Sequence, residues 1–330
     1  YNNDQIGKTR KFKGELRDIY QRATFKVAEG HAAGGKDTEA APAFLDFYNE
    51  FADSKVRDIA LYNSAFYFGK IGQKSKRIEL RHEFVDNFPK PLGKDSAKAK
   101  LYEKSVAELA SHYQSTATYD RAASLFRTLY DKDPGFDEQG FATSRDGLYD
   151  AALYKEALGD IDGSIKDFRD YMKSWPDGDD VLATRMKIAQ MLRKAGRSSE
   201  AQAQLKSIYS DKKVIAAAFD LAMEAHLAYG QLISKRDKQL AHYREGLRFY
   251  DKNKSKPGAE KAAKAVAEMR FELLETDFSK YAAKTIPADT KKASKALKGK
   301  MEGVGGLEKK YVDVLNLKQG EWGIAALYRI

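Results

Sequence analysis

No cysteine occurs among the 330 residues. Disulfides, thiolate metal sites and a cysteine nucleophile are therefore excluded, although this absence does not fix a compartment. Proline is scarce at 7 residues, and runs that alternate apolar and polar residues, the mark of half-buried strands, are few. Apolar runs fall well short of the roughly 18 residues that a membrane-spanning helix needs. The sequence opens on Tyr1 without an initiating methionine or a signal-like segment, so a processed or trimmed form is expected.

Hydrophobic residues make up 42% of the chain and charged residues 32%. Lysine, alanine, leucine and glutamate dominate, a composition that points to helices around a sizeable core. The 58 basic and 48 acidic residues leave a net charge of +10, compatible with nucleic acid, an anionic membrane surface or acidic proteins as partners. The excess is partly local, since residues 284–310 carry eight lysines against three acids. The plainest reading of that run is a solvated helix face.

The tetrapeptide Ala-Ala-Leu-Tyr occurs at 151–154 and again at 325–328, with a degraded copy at Ser64-Ala65-Phe66-Tyr67. Reading outward from Ala65, Ala110, Ala152 and Ala189 exposes a common register. An apolar residue stands four before the alanine in three copies (Leu61, Val106, Leu148), with Arg185 the exception. Another stands three after it (Phe68, Tyr113, Leu192), with Lys155 the exception. A small residue follows at twelve, and large apolar residues at sixteen and nineteen, in all but the first copy, where Arg77 and Arg81 intervene. Pro89, Pro134 and Pro176 stand at twenty-four. Spacings of three and four define helix faces, the small residues permit close approach of two antiparallel helices, and the proline ends the second.

This pattern resembles the tetratricopeptide repeat from Leu61 to about Lys213, with an earlier second-helix-like segment at Ala40, Phe44, Phe47 and Phe51. The key alanines lie 45, 42 and 37 residues apart, against roughly 34 in that family, so longer turns or helices are expected. The resemblance implies an all-α fold, an α-solenoid of antiparallel helix pairs wound as an elongated right-handed superhelix. Four segments are expected: N-terminal helices and a half-repeat over 1–57, repeats over 58–213, a degenerate pair and a long lysine-rich hairpin over 214–320, and the start of a further repeat over 321–330. Within the third, Pro257–Lys284 reads as one long helix, and the next as broken at Gly303-Val304-Gly305-Gly306. Trp322 falls four before Ala326, a position where the family often has tryptophan. The chain is therefore expected to continue beyond Ile330, with Trp322, Ile324 and Leu327 partly exposed or folded back on the hairpin.

Chemistry finds no clear seat. Gly30-His31-Ala32-Ala33-Gly34-Gly35-Lys36 fits the first seven positions of a phosphate-binding loop. Asp37 occupies the position of the magnesium-binding hydroxyl, and no strand precedes the glycines, which read better as a helix terminus. His31, His82, His112, His226 and His242 show no paired ligand spacing. Glu103 and Glu108 do not share a helix face, and Glu108 with His112 reads as a surface pair. No enzyme activity, cofactor, metal or small-molecule substrate is expected. Lys291, Lys292, Lys295 and Lys298 form a basic patch that could face phosphates, but without aromatic residues for stacking nucleic acid is disfavoured. Anionic lipid headgroups or an acidic protein suit the same patch, so peripheral membrane association stays open.

In the resembled family the first helix of each pair lines a concave groove. Carried over residue by residue, the groove positions are Tyr62, Phe66 and Lys70, then Ser111 and Gln114, Tyr149, Leu153 and Glu156, and Met186, Gln190 and Arg193. Some of these are expected to be core instead. The lysine with which some relatives grip a peptide carboxylate is replaced by Tyr62, Ala107, Tyr149 and Met186, so an amphipathic helix or extended hydrophobic peptide is the expected ligand. The stretch 311–330 is similar to repeat proteins of deltaproteobacterial cell envelopes, including gliding-motility subunits. That similarity implies a periplasmic or outer-membrane-associated scaffold in a larger complex, with a cytoplasmic adaptor or chaperone-like protein as the alternative. For the glycine-rich turn, calorimetry with ATP and magnesium should register no binding heat; a micromolar site abolished by Lys36→Ala would defeat that expectation.

Overall fold

The computed structural model describes residues 3–89 and 96–330. Among them are sixteen α-helices and no strand, the all-α solenoid class that the register implies. The chain divides into two compact units, residues 1–175 and 176–330, a boundary that falls inside the repeat stretch.

The first unit comprises α1 (Asn3–Ala33), α2 (Asp37–Glu50), α3 (Arg57–Lys70), α4 (Lys74–Asn87), α5 (Ser96–Ser115), α6 (Tyr119–Lys132), α7 (Ser144–Ala157) and α8 (Ile161–Ser174). Each helix packs on the next. The alanine register is the packing register: Ala65, Ala110, Ala152, Ala122, Phe126, Leu129, Phe168 and Tyr171 are all buried. Where small residues meet, backbones come within hydrogen-bond reach of side chains. The Ser164 hydroxyl donates to the Ala152 carbonyl at 2.6 Å, and Ser64 donates to the Ala41 carbonyl at 2.9 Å.

Seven residues after each packing alanine the backbone turns left-handed, at Gly72, Ala117, Gly159 and Gly196. Glycine adopts that conformation freely, whereas an alanine at Ala117 bears a cost of roughly 1–2 kcal/mol. The same interval joins buried Ala28 to Gly35, with Ala40, Phe44 and Phe47 buried at twelve, sixteen and nineteen. The N-terminal segment is thus a complete pair, of which the sequence pattern revealed only the second helix. α1 runs through Gly30 and ends at Ala33, so the glycine-rich stretch is a helix-to-helix turn.

Departures from the register are charges held between neighbouring elements. Arg81 is 2% exposed. Its Nε donates to Glu108 on α5 at 2.9 Å, its Nη1 donates to the Tyr62 carbonyl at 3.1 Å, and its guanidinium lies 3.9 Å from the Tyr62 ring centre. Arg77 donates to the other Glu108 oxygen. Lys155 meets the fully buried Asp167 at 2.6 Å, a carboxylate that also accepts from Arg127 at 2.9 Å.

The second unit comprises α9 (Val181–Lys194), α10 (Ser198–Tyr209), α11 (Lys212–Ala217), α12 (Phe219–Gln231), α13 (Arg236–Asn253), α14 (Ala263–Ala282), α15 (Thr290–Leu315) and α16 (Gly320–Arg329). Here Arg185, the third departure, pairs with Asp211 at 2.9 Å. Two expectations need correction. The helix read from Pro257 starts only at Ala263, because Gly258 takes a left-handed φ of 85° beside Asp220 and the turn buries Ala259 and Ala262. α15 is unbroken through its glycines. Each costs about 1 kcal/mol relative to alanine, but Tyr311 and Val314 are anchored in the core, and a Cβ on Gly303 would crowd the Tyr281 ring at 3.3 Å. α14 and α15 form the long hairpin, and α16 folds back on it. Ala326 is buried there, Ile324 and Leu327 stay exposed, and Arg329 clamps Glu275 at 2.6 Å.

Breaking a buried charge pair on one side strands the other charge, at a cost of about 3–5 kcal/mol. Arg81→Met should therefore lower the unfolding free energy of the first unit by several kcal/mol, and Arg81→Met with Glu108→Leu should restore most of it. Chemical denaturation checks both, and a single-variant loss below about 1 kcal/mol would show the network to be solvated.

Candidate functional site

Three of the sequence-predicted groove residues converge on one cleft within the second unit. Met186, Gln190 and Arg193 lie on one face of α9, opposite Glu224, Leu227 and Gln231 of α12. Leu205 of α10 and Lys264, Ala265 and Glu268 of α14 complete a cavity of about 440 Å³, within the size range of sites that take a ligand or one large anchoring side chain. Its floor is apolar, with Met186, Ala189, Leu205, Ala262 and Ala265 buried. Its rim carries both charge signs: Arg193, Lys261 and Lys264 against Asp220, Glu224 and Glu268.

A hydrogen-bond chain spans the rim. Arg193 Nη1 donates to Gln231 Oε1 at 3.0 Å, and Gln231 Nε2 donates to Glu268 Oε1 at 2.6 Å. Burial lifts the Glu268 carboxyl above its ordinary range, a shift that the Gln231 hydrogen bond opposes. The arrangement fixes three polar groups around an apolar floor, which suits recognition of a segment that combines an apolar residue with charge. Among the described residues no cluster of three or more histidine, aspartate or glutamate side chains is placed to hold a metal ion.

The remaining predicted positions sort by offset from the alanine. Three before it, the two tyrosines lean towards the second helix of their own pair. Tyr62 packs edge-on to Phe84 at 5.7 Å, Tyr149 packs on Phe168 and Tyr171 at 5.3 Å, Ala107 is buried, and Met186 is the cleft floor. Positions further along are more open. Phe66 is exposed, Lys70 pairs with Asp37 at 2.8 Å, and Gln114 donates to Asp150 on α7 at 3.0 Å. Ser111 donates to its own helix at the Ala107 carbonyl, while Leu153 and Glu156 are half-buried. Lys291, Lys292, Lys295 and Lys298 are exposed on α15.

No protein-family model matches the chain. No curated protein matches it in sequence. Among solved structures, MamA of AMB-1 is similar at 19% identity with a TM-score of 0.34, over 57% of this chain and 90% of MamA. MamA of MSR-1 is similar at 18% identity and a TM-score of 0.32, over 63% and 97%. A putative kinesin light chain of Podosopora anserina with nearly identical TPR-like repeats gives 16% identity and a TM-score of 0.31, over 56% and 91%. The tetratricopeptide-like character of this fold rests on the chain's own helix pairs and their alanine register.

A second arrangement escaped the spacing search for metal ligands. His226 on α12 and His242 on α13 stack with ring centres 4.0 Å apart, and both are buried. Each begins a His-x-x-x-Gly run, at 226–230 and 242–246. The antiparallel helices set His226 against Gly246, where a Cβ would meet its Nδ1 at 2.8 Å, while Gly230 faces first the Tyr243 ring and then His242 Cδ2 at 3.1 Å. That duplicated run was the available signal. His242 Nε2 donates to the His226 carbonyl at 3.0 Å, whereas His226 Nδ1 is buried without a hydrogen-bond partner. Tyr209 and Tyr229 pack against the pair.

Burial depresses both imidazoles, His226 from 6.5 to about 4 with the His242 charge contributing. Above the ordinary value neither the folded nor the unfolded chain binds this proton, so stability is fully present there. As pH falls from 6.5 towards about 4, the unfolded chain takes up a proton that the fold refuses, and stability drops by up to about 3 kcal/mol. Denaturation followed from about pH 7 to about pH 5 should show that slope, and His226→Phe should flatten it. An equal slope in both proteins would refute the assignment.

Proposed function

We propose that the chain is a non-enzymatic interaction scaffold whose second-unit cleft holds a segment of a protein partner. The cleft carries this reading: an apolar floor at Met186, Ala189 and Leu205 beneath a rim of fixed opposite charges. An amphipathic helix or extended peptide with one large apolar anchor and flanking charges meets both features. On the first unit, the exposed Phe66 beside Lys70 is part of the same proposal as a second contact surface. The cell-envelope setting and larger assembly are also proposed, on the similarity of residues 311–330. No helix among the described residues is long and apolar enough to cross a membrane.

Peptide-display selection against the full chain tests the cleft. Selected peptides should share an apolar anchor flanked by charge, and Met186→Ala with Arg193→Ala should weaken them tenfold or more, about 1.4 kcal/mol. Circular dichroism should be unchanged, because Arg193 is exposed and truncating the buried Met186 leaves its core neighbours Ala189, Leu205 and Ile208 in place. Peptides that bind wild type and double variant equally would overturn the cleft as the site.

A further inference from the structure

The tip of the hairpin in the second unit combines two properties that the cleft reading leaves unused. Residues 290–301 of α15 contain five lysines and no acid. The same turns expose an apolar line of Leu297, Met301 and Val304 at 48, 67 and 44%, spaced i, i+4 and i+7 and so stacked along one face. Ile286, in the loop that closes the hairpin, is exposed at 49%. Lys291, Lys295 and Lys298 follow one flank of that line on the helical wheel. Lys300 lies on the other, donating to the Lys284 carbonyl at 2.9 Å with its ammonium 5.4 Å from the Tyr281 ring centre. Glu308, on the same line one turn beyond Val304, ends the apolar stretch.

Nearer its C-terminus the same side of α15 is packed, since Val304 stands three before Leu307 and seven before Tyr311. Gly303 sits against Tyr281, and Leu307, Tyr311 and Val314 join the core with α14 and α16. The apolar line is therefore the core stripe continued past the end of α14 at Ala282, where it is left exposed, with Lys300 on one side and Lys291, Lys295 and Lys298, with Glu302 among them, on the other.

We propose that this tip docks on an anionic lipid surface, with Ile286, Leu297, Met301 and Val304 entering the headgroup boundary and the lysines meeting lipid phosphates. Charge complementarity selects this occupant. A nucleic acid would engage the lysines and leave the apolar line in water, whereas a lipid interface satisfies both. Long lysine stems reach phosphate level while their methylenes stay on apolar neighbours. The contact is peripheral, made by the hairpin tip alone, and is independent of the cleft residues.

Sedimentation of the full chain with vesicles tests it. The protein should pellet with vesicles of phosphatidylcholine and phosphatidylglycerol, pellet weakly with phosphatidylcholine alone, and be released by salt. Changing Lys291, Lys295 and Lys298 together to glutamine should weaken binding about a hundredfold, at about 1 kcal/mol for each lysine. Leu297→Ser with Met301→Ser should weaken it tenfold or more at unchanged charge, since even partial burial of two apolar side chains is worth more than about 1.4 kcal/mol. All five side chains are exposed, so melting curves should match wild type. Failure to pellet with anionic vesicles overturns the proposal. So does binding that depends on the lysines but not on Leu297 and Met301, particularly if duplex DNA competes, because the surface would then be a phosphate-backbone site.

Discussion

Everything in the two units depends on how closely paired helices approach at their small residues. An alanine on the first helix and a small residue twelve later on the second bring backbones near enough for Ser164 to reach the Ala152 carbonyl at 2.6 Å. At that separation the large residues sixteen and nineteen later interdigitate instead of holding the helices apart. The left-handed residue at seven sets the length of the turn, and so the alignment of the partners. Bulk at the alanine would push the pair apart and loosen the aromatic layer as well. The histidine pair obeys the same constraint with other residues, since Gly246 leaves the room that His226 fills and Gly230 the room that Tyr243 and His242 share.

Charge appears where the register lapses, and each time a partner stands ready. Arg81 finds Glu108, Lys155 finds Asp167, and Arg185 finds Asp211. These pairs are directional where apolar packing is not. Arg81 additionally takes the Tyr62 carbonyl and ring, so one guanidinium ties α3, α4 and α5. Such a contact specifies which helix face meets which neighbour, even where it adds little net stability over an apolar replacement.

Much of this was legible in the sequence, because close packing leaves a periodic trace. Ala65, Ala110, Ala152 and Ala189 placed four helix pairs, and most of their apolar companions are buried, with Phe68 only partly so. What escaped was non-periodic. α1 was missed as a first helix because its packing residue Ala28 stands among charges and glycines that read as a terminus. The glycines of α15 read as a break, since a propensity penalty carries no record of the core contacts that outweigh it. Of the groove positions, Met186, Gln190 and Arg193 assembled into one cleft. Tyr62 and Tyr149, at the same offset as Met186, turned into the core of their own pairs, a choice made by the aromatic residues opposite them, Phe84, Phe168 and Tyr171. The cleft's other wall, from α12 and α14, lies beyond the part of the chain where the register holds.

Arg77, Arg81 and Glu108 form a knot that limits how this sequence drifts over generations. Two arginines share one nearly buried carboxylate, so a lineage that loses Glu108 first leaves two cations in a niche suited to one anion. A lineage that loses Arg81 first leaves an opening beside Tyr62 and a carboxylate held by the more exposed Arg77 alone. An all-apolar replacement is an acceptable destination, but every single step towards it descends in stability before it climbs. The three positions are therefore expected to persist together or to be exchanged together. Descendants of this chain should divide into those that keep the charged knot and those that have an oily one, with few between.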